Sequence, residues 1–225
     1  MSHPLDRPVW AALSTRQRGF AIGDERALRL DPAIGLFAAA ADARPDSLAA
    51  LAALAPVEGL IGLVETGLPP PPPGLQIVKQ AACAQMVAER PAPPPPGFAF
   101  ETLGDDDAPE MLELATLTEP GPFFVRTHEL GAFIGIREGG QLIAMAGERM
   151  KPPGFAEVSG VCTRPGFRGR GYAAGLLATV ANRIAVRGET PFLHAYADHA
   201  ATIALYERLG FRVRTIVTYA LVERL

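Results

Sequence analysis

A glycine-rich turn between an apolar run and an Ala/Leu-rich segment constrains this chain more than any other feature. The apolar run ends at Thr163, a Pro-Gly pair interrupts it, and the hexapeptide Arg-Gly-Arg-Gly-Tyr-Ala at 168–173 leads into the Ala/Leu-rich segment. In a strand, turn and helix of this order, the N–H groups of the turn and the positive end of the helix dipole point at one spot. Glycine permits φ > 0 and close approach to a phosphate, and arginine adds charge-assisted donors. The stretch therefore predicts an anion site.

Three interpretations of this turn follow from the residues alone. A Walker-type loop requires Gly-x-x-x-x-Gly-Lys-Ser/Thr, which is absent. Residues 169–174 fit the loose dinucleotide pattern G-x-G-x-x-A, but that pattern needs an acidic residue at the end of the next strand. Glu189 lies before that strand, and the turn follows a meander of strands instead of opening a βαβ unit. A structural turn with solvated arginines remains the third interpretation.

Length, charge and cysteine content limit the class of protein. The chain has 225 residues, 48% of them hydrophobic, which is enough for one large domain or two small ones. A net charge of −3 gives no support to general nucleic-acid binding. Cys83 and Cys162 form neither a disulfide framework nor a metal-ligand spacing, which indicates a reducing compartment. Residues 1–6 lack the features of a signal peptide, and no apolar run approaches the ~20 residues of a membrane span. We expect a cytoplasmic monomer or homodimer without metal, membrane or nucleic-acid partners.

Proline clusters divide the chain. The run at 69–73 reads as a stiff surface connection, and a second cluster at 91–96 predicts a boundary between residues 1–96 and 97–225. The first part is expected to be a smaller α/β domain and could be a degenerate version of the second. Its predicted elements are a helix opened by Asp6 and Pro8, strands at 27–30, 34–37 and 60–64, a helix capped by Asp46-Ser47, and an apolar run at 75–86 that fits either strand or helix.

The second part has a more regular pattern, which predicts the order β-α-β-β-β-α-β-α-β and hence an α/β (α+β) fold. The expected elements are strands at 98–103, 133–136, 142–148, 155–163, 191–197 and 212–222 and helices at 108–117, 173–186 and 200–209. Gly139-Gly140 marks a hairpin, and Gly210 ends the last helix.

From about residue 98 onward, the chain resembles the GNAT superfamily of acyl-CoA-dependent N-acetyltransferases, in its FR47-like branch. The family's pyrophosphate loop, Arg/Gln-x-x-Gly-x-Gly/Ala, matches residues 168–173 in full, and its Tyr-x-x-x-Gly-Phe segment matches residues 206–211. Two motifs in the family's order, separated by a helix and a strand, are far more specific than either alone. The resemblance implies a mixed, mostly antiparallel sheet flanked by helices.

The resemblance also implies acetyl-CoA as co-substrate, without a metal. The backbone of Val161 and Thr163 would pair with the amides of the pantetheine arm like an added strand. The N–H groups of residues 168–173 would hold the pyrophosphate. Relatives often carry Asn seven residues before the motif tyrosine, whereas this chain has His199, which can also donate one hydrogen bond. The implied cofactor-binding set is Val161, Cys162, Thr163, Arg168, Gly169, Arg170, Gly171, Tyr172, Ala173, His199 and Tyr206.

Acetyl transfer requires a neutral amine and a proton for the leaving thiolate. An alkyl ammonium has a pKa near ~10.4, so a base or a water chain must remove its proton at pH 7. The resemblance assigns Tyr206 as general acid near the CoA sulfur. The alternative is that Tyr206 only packs on the core with its hydroxyl satisfied.

Glu157 is the candidate base, because it lies eleven residues before Arg168, the spacing at which histone-acetyltransferase-like members place theirs. Strand alternation puts Glu157, Ser159 and Val161 on one face, and Gly160 could mark a bulge that opens a slot for the thioester. An exposed strand carboxylate is the equal alternative, and Glu148 and His194 are weaker candidates.

The sequence thus predicts direct acetyl transfer from acetyl-CoA to the primary amine of a small molecule or peptide. No covalent intermediate is expected, since Cys162 alternates away from the Glu157 face. A catalytically silent acyl-CoA sensor or interaction module is the competing function, and a dinucleotide-dependent oxidoreductase is the third.

Overall fold

The computed structural model describes residues 3–225; Met1 and Ser2, which open the segment that lacks signal-peptide features, lie outside the described residues. The described residues form five α-helices and eleven strands, with short 3-10 turns between them. In chain order these are α1 Pro8–Leu13, β1 Ala21–Gly23, β2 Ala27–Leu30, β3 Ala38–Ala40, α2 Pro45–Leu54, β4 Ile61–Glu65, β5 Leu75–Val87, β6 Glu101–Leu103, α3 Ala108–Thr118, β7 Phe133–Glu138, β8 Gln141–Glu148, β9 Phe155–Thr163, α4 Tyr172–Val186, β10 Thr190–Tyr196, α5 Ala200–Arg208 and β11 Arg212–Arg224.

The element order predicted from residue 98 onward is confirmed. Eight strands form the large sheet in the order β4-β11-β5-β10-β9-β8-β7-β6, and β1, β2 and β3 form a separate small sheet. Neighbouring strands of the large sheet are antiparallel, except that β9 and β10 are parallel. The mixed, mostly antiparallel sheet flanked by helices is therefore present.

The large sheet crosses the boundary expected at residue 96. The ambiguous segment at 75–86 is a strand, β5, and it lies between β10 and β11. Its pairing with β11 runs from Arg212 opposite Val87 to Arg224 opposite Leu75. The proline-rich connection after β5 thus joins two parts that share one sheet. Pairing between segments more than a hundred residues apart leaves no local signal in the sequence.

Two layers cover the two faces of the large sheet. The face of α4 predicted to be apolar packs on β8, β9 and β10, and Leu176, Leu177, Val180 and Ile184 are buried there. The opposite face is covered by the N-terminal segment and α1, whose Leu5 and Val9 join one core with Phe192. Each fully buried side chain of this size contributes about 1.5–3 kcal/mol relative to exposure. The N-terminal part therefore covers the second face of the sheet.

Three predicted elements differ in the structure. The strand expected at 34–37 forms at Ala38–Ala40 instead. Asp46-Ser47 does not cap α2, because Pro45 starts the helix with its fixed φ and Arg44 occupies the extended position before it. The strand expected at 98–103 is limited to Glu101–Leu103, since Phe98 packs over Gly175 of α4.

Candidate functional site

A gap opens between the two parallel strands of the sheet. β9 and β10 pair at only three positions, the last of which joins Glu157 and Phe192. The register between β8 and β9 then shifts, and Gly160 has a φ of +64° at that point. The bulge predicted at Gly160 is therefore present, and a bulge bends its strand. Beyond the bulge, β9 and β10 separate toward their C-terminal ends.

A cavity of about 290 Å³ lies at this gap, a size suited to a small ligand. Residues of the second part line one side of it: Val161, Ala195, Tyr196, His199, Thr202 and Tyr206. A second group includes residues from the N-terminal part: Phe37, Val64, Cys83, Arg149, His194 and Tyr219. Residues 119–122, which follow α3, complete the lining. Both parts of the chain therefore build one site.

The glycine-rich turn has the backbone geometry of an anion site. Gly169 and Gly171 both have φ of +80°, and Gly171 is the residue before the first turn of α4. The first N–H groups of a helix have no intrahelical partner and point outward. Arg168 differs from the expectation for this loop, since its N–H donates to the Pro165 carbonyl at 3.3 Å. Arg170 is exposed, with its guanidinium over the Phe167 ring.

One edge of β9 faces the gap. Cys162 lies opposite Met145 of β8, and the Arg164 N–H donates to the Ile143 carbonyl at 2.7 Å. Because backbone groups in an antiparallel pair alternate between the two edges, those of Val161 and Thr163 point away from β8. The backbone groups of these two residues therefore lie on the edge that the resemblance implies for the pantetheine arm, where the Thr163 carbonyl accepts a hydrogen bond from Arg168 Nε at 3.3 Å.

Cys162 does not fit the cofactor-binding role expected for it. Its backbone belongs to the β8 side, and its side chain is buried with Met111 and Leu114 of α3. Burial raises the pKa of the Cys162 thiol to about 11. Cys162 is thus a core residue that holds α3 on the sheet.

Tyr206 and His199 approach the gap from α5. Tyr206 packs partly on the core and also lines the cavity. Its position is therefore compatible with a packing role and with a role as general acid. Burial raises the pKa of its hydroxyl above the ordinary value of 10, so it keeps its proton at neutral pH. His199 occupies the position before α5, with 58% of its side chain exposed and its ring against Tyr196.

Glu157 occupies a buried ion pair away from the cavity lining. It is 1% exposed, and it accepts hydrogen bonds from Arg149 Nε at 2.9 Å, Arg149 Nη2 at 2.8 Å and the Met150 N–H at 3.3 Å. Burial alone would raise the pKa of this carboxyl, but the charge and hydrogen bonds of Arg149, with those of His194, outweigh it and hold the pKa below its ordinary value.

These contacts correct two expectations about Glu157. A carboxylate with a lowered pKa and occupied lone pairs is poorly suited to accept a proton from an amine. The bulge at Gly160 also breaks the alternation that placed Glu157 and Val161 on one face, since Val161 packs with the α4 core and Glu157 contacts His194 on the other side.

The weaker base candidates, His194 and Glu148, also form hydrogen bonds or ion pairs within the protein. His194 Nδ1 lies 2.8 Å from Glu157 Oε1, and its Nε2 lies 3.2 Å from Gln85 Nε2. Since a carboxylate only accepts and an amide nitrogen only donates, Nδ1 carries the proton and Nε2 accepts. Glu148 is buried against Arg187 and Lys151. The residue that sequence reasoning missed is Arg149, which directly follows β8 and belongs to no motif.

Comparison with known proteins places the chain in a family. The family model described as FR47-like protein matches residues 133–220. A crystal structure from Novosphingobium aromaticivorans, described as an acetyltransferase of the GNAT family, is 47% identical over 100% of both chains, with a TM-score of 0.92. The chain belongs to the GNAT acetyltransferase family. The resemblance carried by the two sequence motifs is thereby confirmed.

More distant GNAT structures share the fold over nearly the whole chain. A GCN5-related N-acetyltransferase from Kribbella flavida is 19% identical, covering 97% of this chain and 95% of its own, with a TM-score of 0.63. A GCN5-related N-acetyltransferase-like protein from Streptococcus suis is 17% identical, covering 97% and 92%, with a TM-score of 0.56. At these identities the likeness shows the fold alone. A search of curated proteins gave no match.

Family membership supports acyl transfer with acetyl-CoA as the donor. The described helices include none long and apolar enough to cross a membrane. Within residues 3–225, the His, Cys, Asp and Glu side chains form no group of three or more that could hold a metal ion.

Proposed function

We propose that this GNAT protein transfers the acetyl group of acetyl-CoA to the primary amine of a small molecule by direct attack. The observation that carries the proposal is the gap between β9 and β10, where Val161 of β9 and Tyr206 of α5 line one cavity. The glycine-rich turn lies beyond the C-terminal end of β9, the end at which β9 no longer pairs with β10. Donor and acceptor can therefore meet in one cavity.

The cofactor side of the site is assigned from the backbone. The N–H groups from Gly169 to Ala173 would receive the pyrophosphate at the start of α4. The amides of pantetheine would pair with the edge of β9 at Val161 and Thr163, as an added strand does. His199, exposed at the start of α5, remains a candidate donor to the same arm.

In the proposed reaction, the amine nitrogen bonds to the thioester carbonyl carbon, the C–S bond breaks, and CoA leaves as a thiolate that takes a proton. Tyr206 is the proposed proton donor, because its raised pKa keeps the hydroxyl protonated and it lines the cavity. Cys83 also lines the cavity, but burial raises the pKa of its thiol to about 11, which makes it a poor nucleophile and favours direct attack.

Loss of the amine's proton is assigned to the open side of the cavity. Glu157 and His194 are engaged with each other and with buried partners. Glu119 and His199 line the cavity and are exposed. We therefore propose that a water molecule at this open side takes the proton from the amine and passes it on to either Glu119 or His199.

A catalytically silent acyl-CoA sensor is the second candidate function. The observation that favours it is the engagement of the expected base, Glu157, in a buried ion pair. Both functions predict acetyl-CoA binding, so turnover must separate them.

The test is thiol release from acetyl-CoA in the presence of a panel of primary amines, with mass spectrometry of the products. The proposal expects release that depends on an amine and yields the N-acetylated amine. Acetyl-CoA binding without turnover of any amine would contradict it and support the sensor. Stabilisation of the fold by NAD(P) instead of CoA would contradict both.

A further inference from the structure

Arg149 presents one edge of a fixed guanidinium to the cavity. Its Nε and Nη2 donate to Glu157 at 2.9 and 2.8 Å, and the guanidinium stacks on the Phe37 ring at 4.8 Å from the ring centre. Nη1 makes no hydrogen bond with any described residue. It faces the segment after α3, since a Cβ built on Gly121 would lie 3.8 Å from it. A donor is thus left without an acceptor on the cavity wall.

Arg149 lies at the end of the cavity away from the proposed cofactor site. Its partner Glu157 precedes Val161 by four residues of β9 and lies on the other side of the bulge at Gly160. The cofactor residues continue from Val161 in the opposite direction, toward the glycine-rich turn. Arg149 therefore belongs to the space left for the acceptor.

The walls around Arg149 are apolar and aromatic. Phe37, Val64 and Tyr219 line this part of the cavity. A guanidinium N–H in such surroundings gains most from an anionic acceptor, and a carboxylate matches its geometry. The charge is permanent, because pairing with Glu157 outweighs burial and raises the pKa of Arg149 further.

We propose that the acceptor is a primary amine that carries a carboxylate and an apolar body, as an apolar amino acid does, and that Arg149 Nη1 binds its carboxylate. This proposal rests on the proposed acetyl transfer and names its substrate class. The other charged groups on the lining fit it: Glu119 is exposed at the mouth and attracts the ammonium of an entering zwitterion, and His199 lies beside the cofactor end.

The first test compares three acceptors that differ only at the carboxylate: phenylalanine, phenylalanine amide and phenethylamine. Acetyl-CoA-dependent thiol release gives kcat/KM for each, referred to the concentration of neutral amine. We expect phenylalanine to exceed both analogues at least tenfold. Equal values for all three, with acetyl transfer intact, would overturn the substrate class and leave the proposed function standing.

The second test removes the guanidinium without leaving Glu157 as an unpaired buried charge. In the double variant Arg149→Met/Glu157→Gln, we expect the preference for phenylalanine over its amide to fall at least tenfold. Arg149→Lys keeps the positive charge but loses the planar edge, and the preference should fall several-fold. The control is Arg187→Met/Glu148→Gln, a second arginine–carboxylate pair whose carboxylate is buried, whose arginine side chain is 42% exposed, and which does not line the cavity; it should keep the preference.

Product binding gives a readout that does not require turnover. N-acetylphenylalanine should raise the Tm of the wild-type protein and of the Arg187→Met/Glu148→Gln control, but not that of the Arg149→Met/Glu157→Gln variant. Equal stabilisation of all three would overturn the role of Arg149. Absence of both acetyl-CoA binding and thiol release with every amine would instead overturn the proposed function, and this inference with it.

Discussion

Glu157 and Phe192 are the last residue pair that joins β9 to β10, and the cavity lies where this pairing ends. On the N-terminal side of this pair, β9 and β10 are paired, and Glu157 is hydrogen-bonded to Arg149 and His194. On its C-terminal side, the bulge at Gly160 bends β9, and β9 and β10 diverge around the cavity. The ion pair next to the last paired residues of β9 thus also fixes Arg149, which lines the cavity.

The Tyr206→Phe variant tests the proposed proton donor. Loss of a general acid typically costs 10²–10⁴-fold in rate, so we expect kcat to fall by about two orders of magnitude while the KM for acetyl-CoA changes little. Steady-state thiol release measures both constants. Unchanged kcat, with fully folded protein by circular dichroism, would assign Tyr206 to packing alone.

Gly171→Ala tests the conformation of the anion-binding turn. Gly171 has φ of +80° with open space around it, so an added methyl group introduces backbone strain of about 1–2 kcal/mol and no steric clash. We expect weaker CoA binding by about 5- to 30-fold in titration calorimetry. Gly166→Ala is the control, because Gly166 lies in the same turn without positive φ and with no neighbour to clash; equal effects of both substitutions would contradict the account.

Glu157→Gln tests the buried ion pair. Breaking such a pair by removing one partner costs about 3–5 kcal/mol, because the remaining charge is buried and uncompensated. We expect a lower Tm for the variant at neutral pH, measured by thermal unfolding. Equal Tm values for the two proteins would show that Glu157 is hydrated and free.

The difference in Tm between wild type and Glu157→Gln should depend on pH. The pKa of Glu157 is lowered in the folded protein, so its stabilising contribution is complete above the ordinary value of 4.5 and is lost as pH falls below it. The difference in Tm between wild type and Glu157→Gln should be constant from pH 8 to about 5 and should narrow in more acidic buffer. A difference that narrows only above pH 6 would point to another group.

The two cysteines are predicted to be unreactive in the folded protein. Burial raises the pKa of both thiols to about 11, and thiolate is the reactive form. Iodoacetamide at pH 8 should therefore modify Cys83 and Cys162 only after denaturation, as measured by mass spectrometry of the intact chain. Rapid modification of the native protein would reopen the possibility of a thiol nucleophile.

The sequence predicts the second part of the fold well because its signals are local. The glycine-rich turn, the apolar face of α4 and the end of α5 at Gly210 each depend on neighbouring residues, and each is present. The position of β5 could not be predicted in this way. Its partners β10 and β11 lie more than a hundred residues later, and its composition fits helix or strand equally.

The candidate site was only partly predictable for the same reason. The spacing from Arg168 pointed to Glu157, but its partners Arg149 and His194 come from other elements, and those contacts decide its pKa. Phe37 is separated from Arg149 by more than a hundred residues and still stacks on it. Burial and charge pairing of this kind depend on the assembled sheet and not on any motif.

The most direct measurement is a crystal structure with CoA bound. We predict pyrophosphate at the N–H groups of residues 169–173, pantetheine along the edge of β9 at Val161 and Thr163, and the sulfur within hydrogen-bond distance of the Tyr206 hydroxyl. CoA bound outside the gap between β9 and β10, or with its sulfur remote from Tyr206, would contradict this prediction.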